Sequence, residues 1–335
     1  MPILALDIGG ANIKVADGLG YAASWSFALW KAPERLAEKL SECLATAPPH
    51  EKIVVTMTGE LCDCFTTKRE GVRAIVEATL IAARNTPIRF YQTTGEYVAA
   101  DEACERYLLT AASNWHALAT FAAGNCESES AILIDIGSTT TDIIPIENGR
   151  EVARGRTDPE RLQSGELVYT GVERTPICAL VPYLSWRGSN CPLAKELFAT
   201  TGDAYLLTGE LPEEQSNRNT SDGQPFTYDA AHARMARIIC SDKELISLEE
   251  VTLFANEIRA AQLRLLGGAF GKVANYLSAE PPEVVLCGQG EFLAQRLLGH
   301  IRYWGTHISL TKKLGPVVSR CATAHALAVI ARNKM

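Results

Sequence analysis

The chain has no excess of positive charge. Its 32 lysines and arginines stand against 39 aspartates and glutamates, a formal net charge of −7. That balance gives no support to general binding along a nucleic-acid backbone. Nor is there an apolar run near the roughly 18–20 residues that span a bilayer, so neither nucleic acid nor membrane is expected as a partner. The chain reaches Asp7 too soon for a signal peptide and shows no basic leading segment. Its ten cysteines are scattered, and the only close pair, Cys62 and Cys64, has no second pair at zinc-site spacing. A chain of this length needs no disulfide framework, so reduced thiols in a cytoplasm are the expectation. The six histidines show no ligand spacing, and no serine nucleophile elbow occurs.

What is present is a globular composition, with 47% hydrophobic and 21% charged residues over 335 positions. Two domains are the natural expectation for this length. Apolar stretches at 3–8, 12–18, 21–30, 53–58 and 88–93 read as strands, and 33–47 and 69–85 as helices. A helical stretch is expected at 97–121, and the strand pattern restarts at residue 131. This is α/β alternation. The middle, about 150–245, is less regular, and its polar segment 213–225 reads as a flexible or substrate-facing loop. Residues 247–278 read as a helix broken near the glycines at 267–271. A buried strand at 283–288 and helices at 290–301 and 319–332 close the chain. Arg234 and Arg237 read as solvated positions on a helix.

One pattern occurs twice. "ILALDIGGANIKVADG" opens the chain and "AILIDIGSTTTDIIPI" follows it, so that Asp7 falls on Asp135, Gly9 on Gly137, Gly10 on Ser138, Ala11 on Thr139 and Asn12 on Thr140. In each, a buried strand ends in an acid, a glycine-containing turn follows, and a second apolar strand leaves. Glycine lets such a turn approach a ligand closely and adopt positive φ, and successive backbone N–H groups in a tight turn make a concave anion site. Ser138, Thr139, Thr140 and Thr141 add hydroxyl donors. Asp7 and Asp135 would repel phosphate by themselves, but each would hold Mg²⁺, which binds through one or two carboxylates plus phosphate oxygens. Two such turns across a cleft would clamp one polyphosphate. Lys14 occupies the place of Asp142 in the repeat, so the two turns differ electrically. Lys14 would reach a phosphate as a point charge, or lie solvated on its strand. Asp142 would orient a nucleophile or a metal-bound water, or cap its turn. Glu60, in "TGE" at the end of a buried strand, is with Asp63 an acid/base candidate. Arg174 is a candidate contact for an anionic substrate.

The paired "LDIGGANIK" and "IDIGSTTTDI" resemble the phosphate loops of the sugar kinase/Hsp70/actin superfamily. "VVLCGQG" sits where that superfamily places its adenosine-contacting turn, which makes Gly288, Gln289 and Gly290 nucleotide-turn candidates. "TMTGELCDCF", "GSTTTDIIPIENG" and "GELVYTGVERTPI" resemble its hydantoinase/oxoprolinase members. More narrowly, the ensemble resembles the branch linked to tetrahydromethanopterin-dependent one-carbon metabolism, which includes the condensing enzyme of methanofuran biosynthesis.

The resemblance implies an α/β fold of two duplicated RNase H-like domains around a central cleft, each with a five-stranded sheet. The domains would span 1–128 and 129–335, the second carrying a substrate-facing insertion at about 150–245. It implies Mg²⁺ at Asp7 and Asp135, and a small phosphorylated substrate. The favoured activity joins an aminomethylfuran-methyl diphosphate to a tyramine-type phenol with release of diphosphate. Asp7, Asp135, Asp142 and Glu60 are the catalytic candidates. Gln289 stands between Gly288 and Gly290 where the superfamily carries small glycines, which weighs against a purine. ATP-dependent phosphorylation or lactam opening is the first alternative, with ATP as cofactor; a non-catalytic, nucleotide-gated actin-like module is the second. Whether the chain is a monomer or a homodimer stays open.

Overall fold

The computed structural model describes residues 2–278 and 282–335. Two mixed sheets form its frame. The first contains β1 (Ile3–Ile8), β2 (Asn12–Ala16), β3 (Ala22–Ser26), β4 (Lys52–Met57), β5 (Ile88–Tyr91) and β6 (Tyr97–Val98), in the order β3-β2-β1-β4-β5-β6. The second contains β7 (Ser130–Ile136), β8 (Thr141–Glu147), β9 (Arg150–Glu151) and β10 (Leu167–Val168). After a separate hairpin of β11 (Tyr183–Trp186) and β12 (Ser189–Pro192), it is completed by β13 (Glu283–Cys287) and β14 (His307–Ser309). Its order is β10-β8-β7-β13-β14, with β9 also on β8. The first strand of each sheet is antiparallel to the next in sequence and parallel to a later one, β4 or β13. The duplication seen in the residues is therefore a duplication of topology.

Each sheet has six strands rather than five. In the first, the turn at Gly95, with φ +81°, folds the chain back so that β6 pairs antiparallel with β5. Tyr97 thus begins a strand, not the expected helix. The helical stretch that follows is also divided, into Ala100–Glu105, Tyr107–Thr110 and Asn114–Ala123. Ala112, at φ +46°, breaks it. The neighbouring Ser113 hydroxyl donates to Tyr91 O at 3.1 Å and meets the Thr56 hydroxyl at 2.8 Å, bonds that a continuous helix would not place.

The core lies in layers. Helices Leu36–Thr46 and Lys68–Ala83 cover the outer face of the first sheet, and Leu248–Ala274 and Glu291–His300 that of the second. Between the sheets lies an alanine-rich layer built from Asn114–Ala123 and the last helix, Ala322–Lys334. The last helix packs on β1, β2 and β4, whereas Asn114–Ala123 packs on β7, β8 and β9. Each central helix thus serves the sheet of the other half, which ties the halves together beneath the cleft.

Helix Leu248–Ala274 is continuous through Gly267, Gly268 and Gly271, contrary to the expected break. Each glycine costs about 1 kcal/mol relative to alanine. The buried stripe of Val251, Phe254, Ile258, Leu266, Phe270 and Val273 outweighs that cost. The polar segment 213–225 is likewise anchored: Asp222 accepts from Arg234 at 3.1 Å and from Arg237 at 3.0 Å, and the Ser221 hydroxyl donates to Phe198 O at 2.6 Å. Arg234 is fully buried between Asp203 and Asp222 rather than solvated. This segment does not line the central cavity. Of the irregular middle, only residues between Asp158 and Arg174 reach the cavity.

Candidate active site

Asp7 lies opposite Lys14 in the β1–β2 ladder, and Asp135 lies opposite Asp142 in β7–β8. The turns beyond them close with the same bond: Gly9 N donates to Asn12 O at 3.0 Å, and Gly137 N to Thr140 O at 2.9 Å. Gly9, Gly10 and Gly137 do not have positive φ, so the expected left-handed backbone is not why glycine stands there. In the first turn the reason is close packing. A Cβ on Gly9 would lie 3.0 Å from Asn12 O, and one on Gly10 would lie 2.7 Å from Cys62 Sγ.

In each turn two carbonyls are occupied by N–H groups of a neighbouring segment. Leu29 N donates to Gly10 O and Phe27 N to Ala11 O, each at 2.9 Å. Val172 N donates to Gly137 O, and Glu173 N and Arg174 N to Ser138 O, all at 3.0 Å. By contrast, the N–H groups of Gly10, Ala11, Ser138 and Thr139 meet no protein acceptor among the described residues. Successive free amides in a tight turn have the arrangement that can receive an anion. Two such turns face one cavity of about 430 Å³.

That cavity brings together Asp7, Gly9, Gly10, Ala11, Asn12, Lys14, Glu60, Asp63, Asp135, Gly137, Ser138, Thr139, Thr140, Asp142 and Arg174. Gly288, Gln289 and Gly290 do not line it. Gly288 and Gly290 instead pack against Asp135 and Ile136, where a Cβ would collide, and the Gln289 amide donates to the Glu173 carboxylate. Packing against the second turn accounts for these glycines without a nucleotide.

The electrostatics are uneven. Burial raises the carboxyls of Asp7 and Asp135, and Asp135 reaches about 7 with further repulsion from Asp142. Lys14 opposes both shifts; its Nζ is 3.9 Å from Asp7 Oδ2. Burial disfavours the Lys14 ammonium, but Asp7, then Asp135, with smaller contributions from Cys321 and Cys287, raise it overall. Asp142 is committed to Arg161, whose buried guanidinium donates to it, lies 3.8 Å from Asp158 and stacks 4.4 Å over Trp115. Asp158 in turn pairs with Lys68 at 2.6 Å. Glu60 stands near the end of this chain. It is 1% exposed, its Oε2 has no hydrogen-bond partner, and burial pushes its carboxyl up to about 7.

Asp7 Oδ1 is also buried without a partner. Among the described residues, no group of three or more His, Cys, Asp or Glu could hold a metal. The partnerless Asp7 Oδ1 and the Asp135 carboxyl on the same cavity are the groups that would hold Mg²⁺, an ion that takes one or two carboxylates and completes its shell with ligand oxygens and water.

Sequence reasoning missed Lys68, Asp158, Arg161, Trp30 and Tyr169. Of these, Lys68 pairs with Asp158, and the others line the cavity. Lys68 and Asp158 are 90 residues apart, and no local spacing connects them.

Two α/β halves joined over a pair of phosphate-type turns define the broad class, and the comparisons narrow it. The model of the hydantoinase/oxoprolinase family matches residues 51–326, and the chain belongs to that family. It is 33% identical over 336 residues to a (4-{4-[2-(gamma-L-glutamylamino)ethyl]phenoxymethyl}furan-2-yl)methanamine synthase of Methanocaldococcus jannaschii, covering 99% of this chain and 98% of that protein. It is 30% identical over 209 residues to the synthase of the same name from Methanococcus vannielii, covering 62% of this chain and 93% of that one. Both relatives are enzymes by name. Among solved structures, nucleotide-free acetone carboxylase superposes with a TM-score of 0.52 at 10% identity, over 98% of this chain and 70% of that one. That likeness supports the fold alone.

Proposed function

We propose that the protein is a transferase that forms an aryl ether. The phenol oxygen of a tyramine-type acceptor bonds to the methylene of an aminomethylfuran-methyl diphosphate. The bond from that methylene to the phosphate oxygen breaks, and diphosphate leaves with the electron pair. The printed name of the relatives describes a product with this phenoxymethyl linkage.

The observation that carries the reading is the pair of free-amide turns on one cavity that also holds a buried carboxylate, Glu60, whose Oε2 has no hydrogen-bond partner. The amides of Gly10, Ala11, Ser138 and Thr139, with the hydroxyls of Ser138, Thr139 and Thr140, receive the diphosphate and stabilise the charge it gains on leaving. Lys14 adds a fixed positive charge beside them. Glu60 accepts the phenol proton; its raised value suits a base working near neutrality. The cavity carries six carboxylates, Asp7, Glu60, Asp63, Asp135, Asp142 and Asp158, against Lys14, Arg161 and Arg174. Diphosphate therefore needs added positive charge, which Mg²⁺ held by Asp7 and Asp135 would supply.

The test mixes the protein with the furan diphosphate, tyramine or its γ-glutamyl amide, and Mg²⁺. Equal amounts of diphosphate and ether product are expected, with no change on adding ATP. Formation of ADP, or a strict need for ATP, would replace this reading with ATP-dependent chemistry.

A further inference from the structure

One cation of the cavity has no partner. Lys14 faces Asp7 and Asp135, and Arg161 is committed to Asp142 and Asp158. Among the described residues, neither a carboxylate nor any other hydrogen-bond acceptor meets the Arg174 guanidinium. It lies instead 4.5 Å over the Trp30 ring. Stacking uses the face of a guanidinium and leaves its in-plane N–H groups free, the geometry that takes a carboxylate in bidentate fashion.

The contact joins the two halves of the molecule. Trp30 follows Leu29, whose N–H holds the first turn at Gly10 O; Arg174 holds the second turn through its own N–H to Ser138 O. The Trp30–Arg174 contact therefore sits directly beyond both diphosphate nests. Tyr169, 64% exposed, adds an aromatic surface to the same cavity. Cys62 and Glu60 line the same cavity. Arg174 and Glu60 thus face one cavity, so one ligand can meet both.

We propose that Arg174, held by Trp30, is the specificity-determining residue for the acceptor, and that it acts by taking the far-end carboxylate of a γ-glutamyl-type phenol such as the relatives' printed name contains. The carboxylate takes the free edge of the guanidinium while the phenol end reaches Glu60. The proposal rests on the ether-forming reaction above and adds which residue selects the second substrate. It matches the γ-glutamyl group in the relatives' printed name, which carries such a carboxylate.

The experiment compares tyramine with its γ-glutamyl amide in the full-length protein, for wild type, Arg174→Ala, Arg174→Lys and Trp30→Ala. It measures kcat/KM from diphosphate release. Wild type should prefer the carboxylated acceptor, and Arg174→Ala should reduce that preference by about 100-fold, as expected for a lost bidentate charge contact. Arg174→Lys should recover only part of it, Trp30→Ala should weaken it, and the KM for the furan diphosphate should stay within about two-fold. Equal losses with both acceptors, or a raised KM for the diphosphate, would overturn the proposal. If wild type forms no ether with either acceptor, the reaction assignment fails separately. Acceptor binding, followed by tryptophan fluorescence, then decides the subsite: tighter binding of the γ-glutamyl amide that Arg174→Ala abolishes supports it, and equal binding by both proteins refutes it.

Discussion

Lys14 holds in the first hairpin the ladder position that Asp142 holds in the second: Lys14 faces Asp7, and Asp142 faces Asp135. One repeat therefore places an ammonium beside its acid, and the other a second carboxylate. The second pair is tolerable because Arg161 neutralises Asp142 from behind. The cavity is thus asymmetric across a symmetric backbone. Lys14 touches the fields of both Asp7 and Asp135, whereas Arg161 is buried away from them in its own network.

Replacing Lys14 should therefore affect the leaving group. Lys14→Met should lower kcat for diphosphate release by about 100-fold or more, the scale of losing one preorganised charge contact in a water-poor site. Lys14→Arg should retain more activity. The measurement is single-turnover release of diphosphate at saturating acceptor. A loss confined to the acceptor KM would place Lys14 elsewhere in the reaction.

Glu60 predicts opposite effects on activity and stability. As a base it must be ionised, so turnover should rise with pH through a limb near 7, the value set mainly by its burial. The folded carboxyl is raised above its ordinary value of 4.5, so between about 4.5 and 7 the folded state binds more protons than the unfolded. The stability it contributes is present below about 4.5, falls as pH rises through 7, and is then fully lost. A shift of that size corresponds to something on the order of 3 kcal/mol. Glu60→Gln should accordingly abolish the pH limb and turnover, yet be more stable than wild type at pH 8. Activity profiles and urea midpoints at pH 5 and pH 8 check both halves.

Arg161 is a structural neutraliser of the site. Arg161→Met should leave Asp142 buried and uncompensated and cost about 3–5 kcal/mol in urea unfolding. The double variant Asp142→Asn with Arg161→Met should recover most of that loss, because removing both charges removes the desolvation penalty as well. A double variant as unstable as the single one would mean that stacking on Trp115, not the ion pair, carries the residue's contribution.

The two matching hairpin turns were legible in the residues because they are local. A buried run ending in an acid, a glycine turn and a second strand recur within sixteen positions, and each turn is closed by its own backbone. Glu60 was legible for a related reason, as an acid just beyond a buried strand. The charge network was not, because Lys68, Asp158, Arg161 and Asp142 meet only after the halves assemble. The destination of the last helix was also hidden. Its alanine-rich face suits any close-packed layer, and nothing in its period tells which sheet it will cover. The glycines at Gly288 and Gly290 have a packing reason that the residues alone do not show, their closeness to Asp135 and Ile136.

Two glycines separate conformational need from packing need. Gly171 has no left-handed φ, but a Cβ on it would lie 2.5 Å from both Gly137 O and Thr139 N. Gly171→Ala must therefore push the loop carrying Val172, Glu173 and Arg174 off the second turn, breaking the bonds that occupy its carbonyls. Gly268, inside helix Leu248–Ala274, is exposed, and a Cβ there would meet nothing within 4 Å. Gly268→Ala should stabilise the protein by up to about 1 kcal/mol through helix propensity and leave turnover unchanged. Gly171→Ala should raise the KM for the diphosphate substrate at least about ten-fold and lower the thermal midpoint. If Gly171→Ala bound diphosphate as wild type does, the second turn would not be a phosphate nest, and the ether-forming assignment would lose one of its two supports.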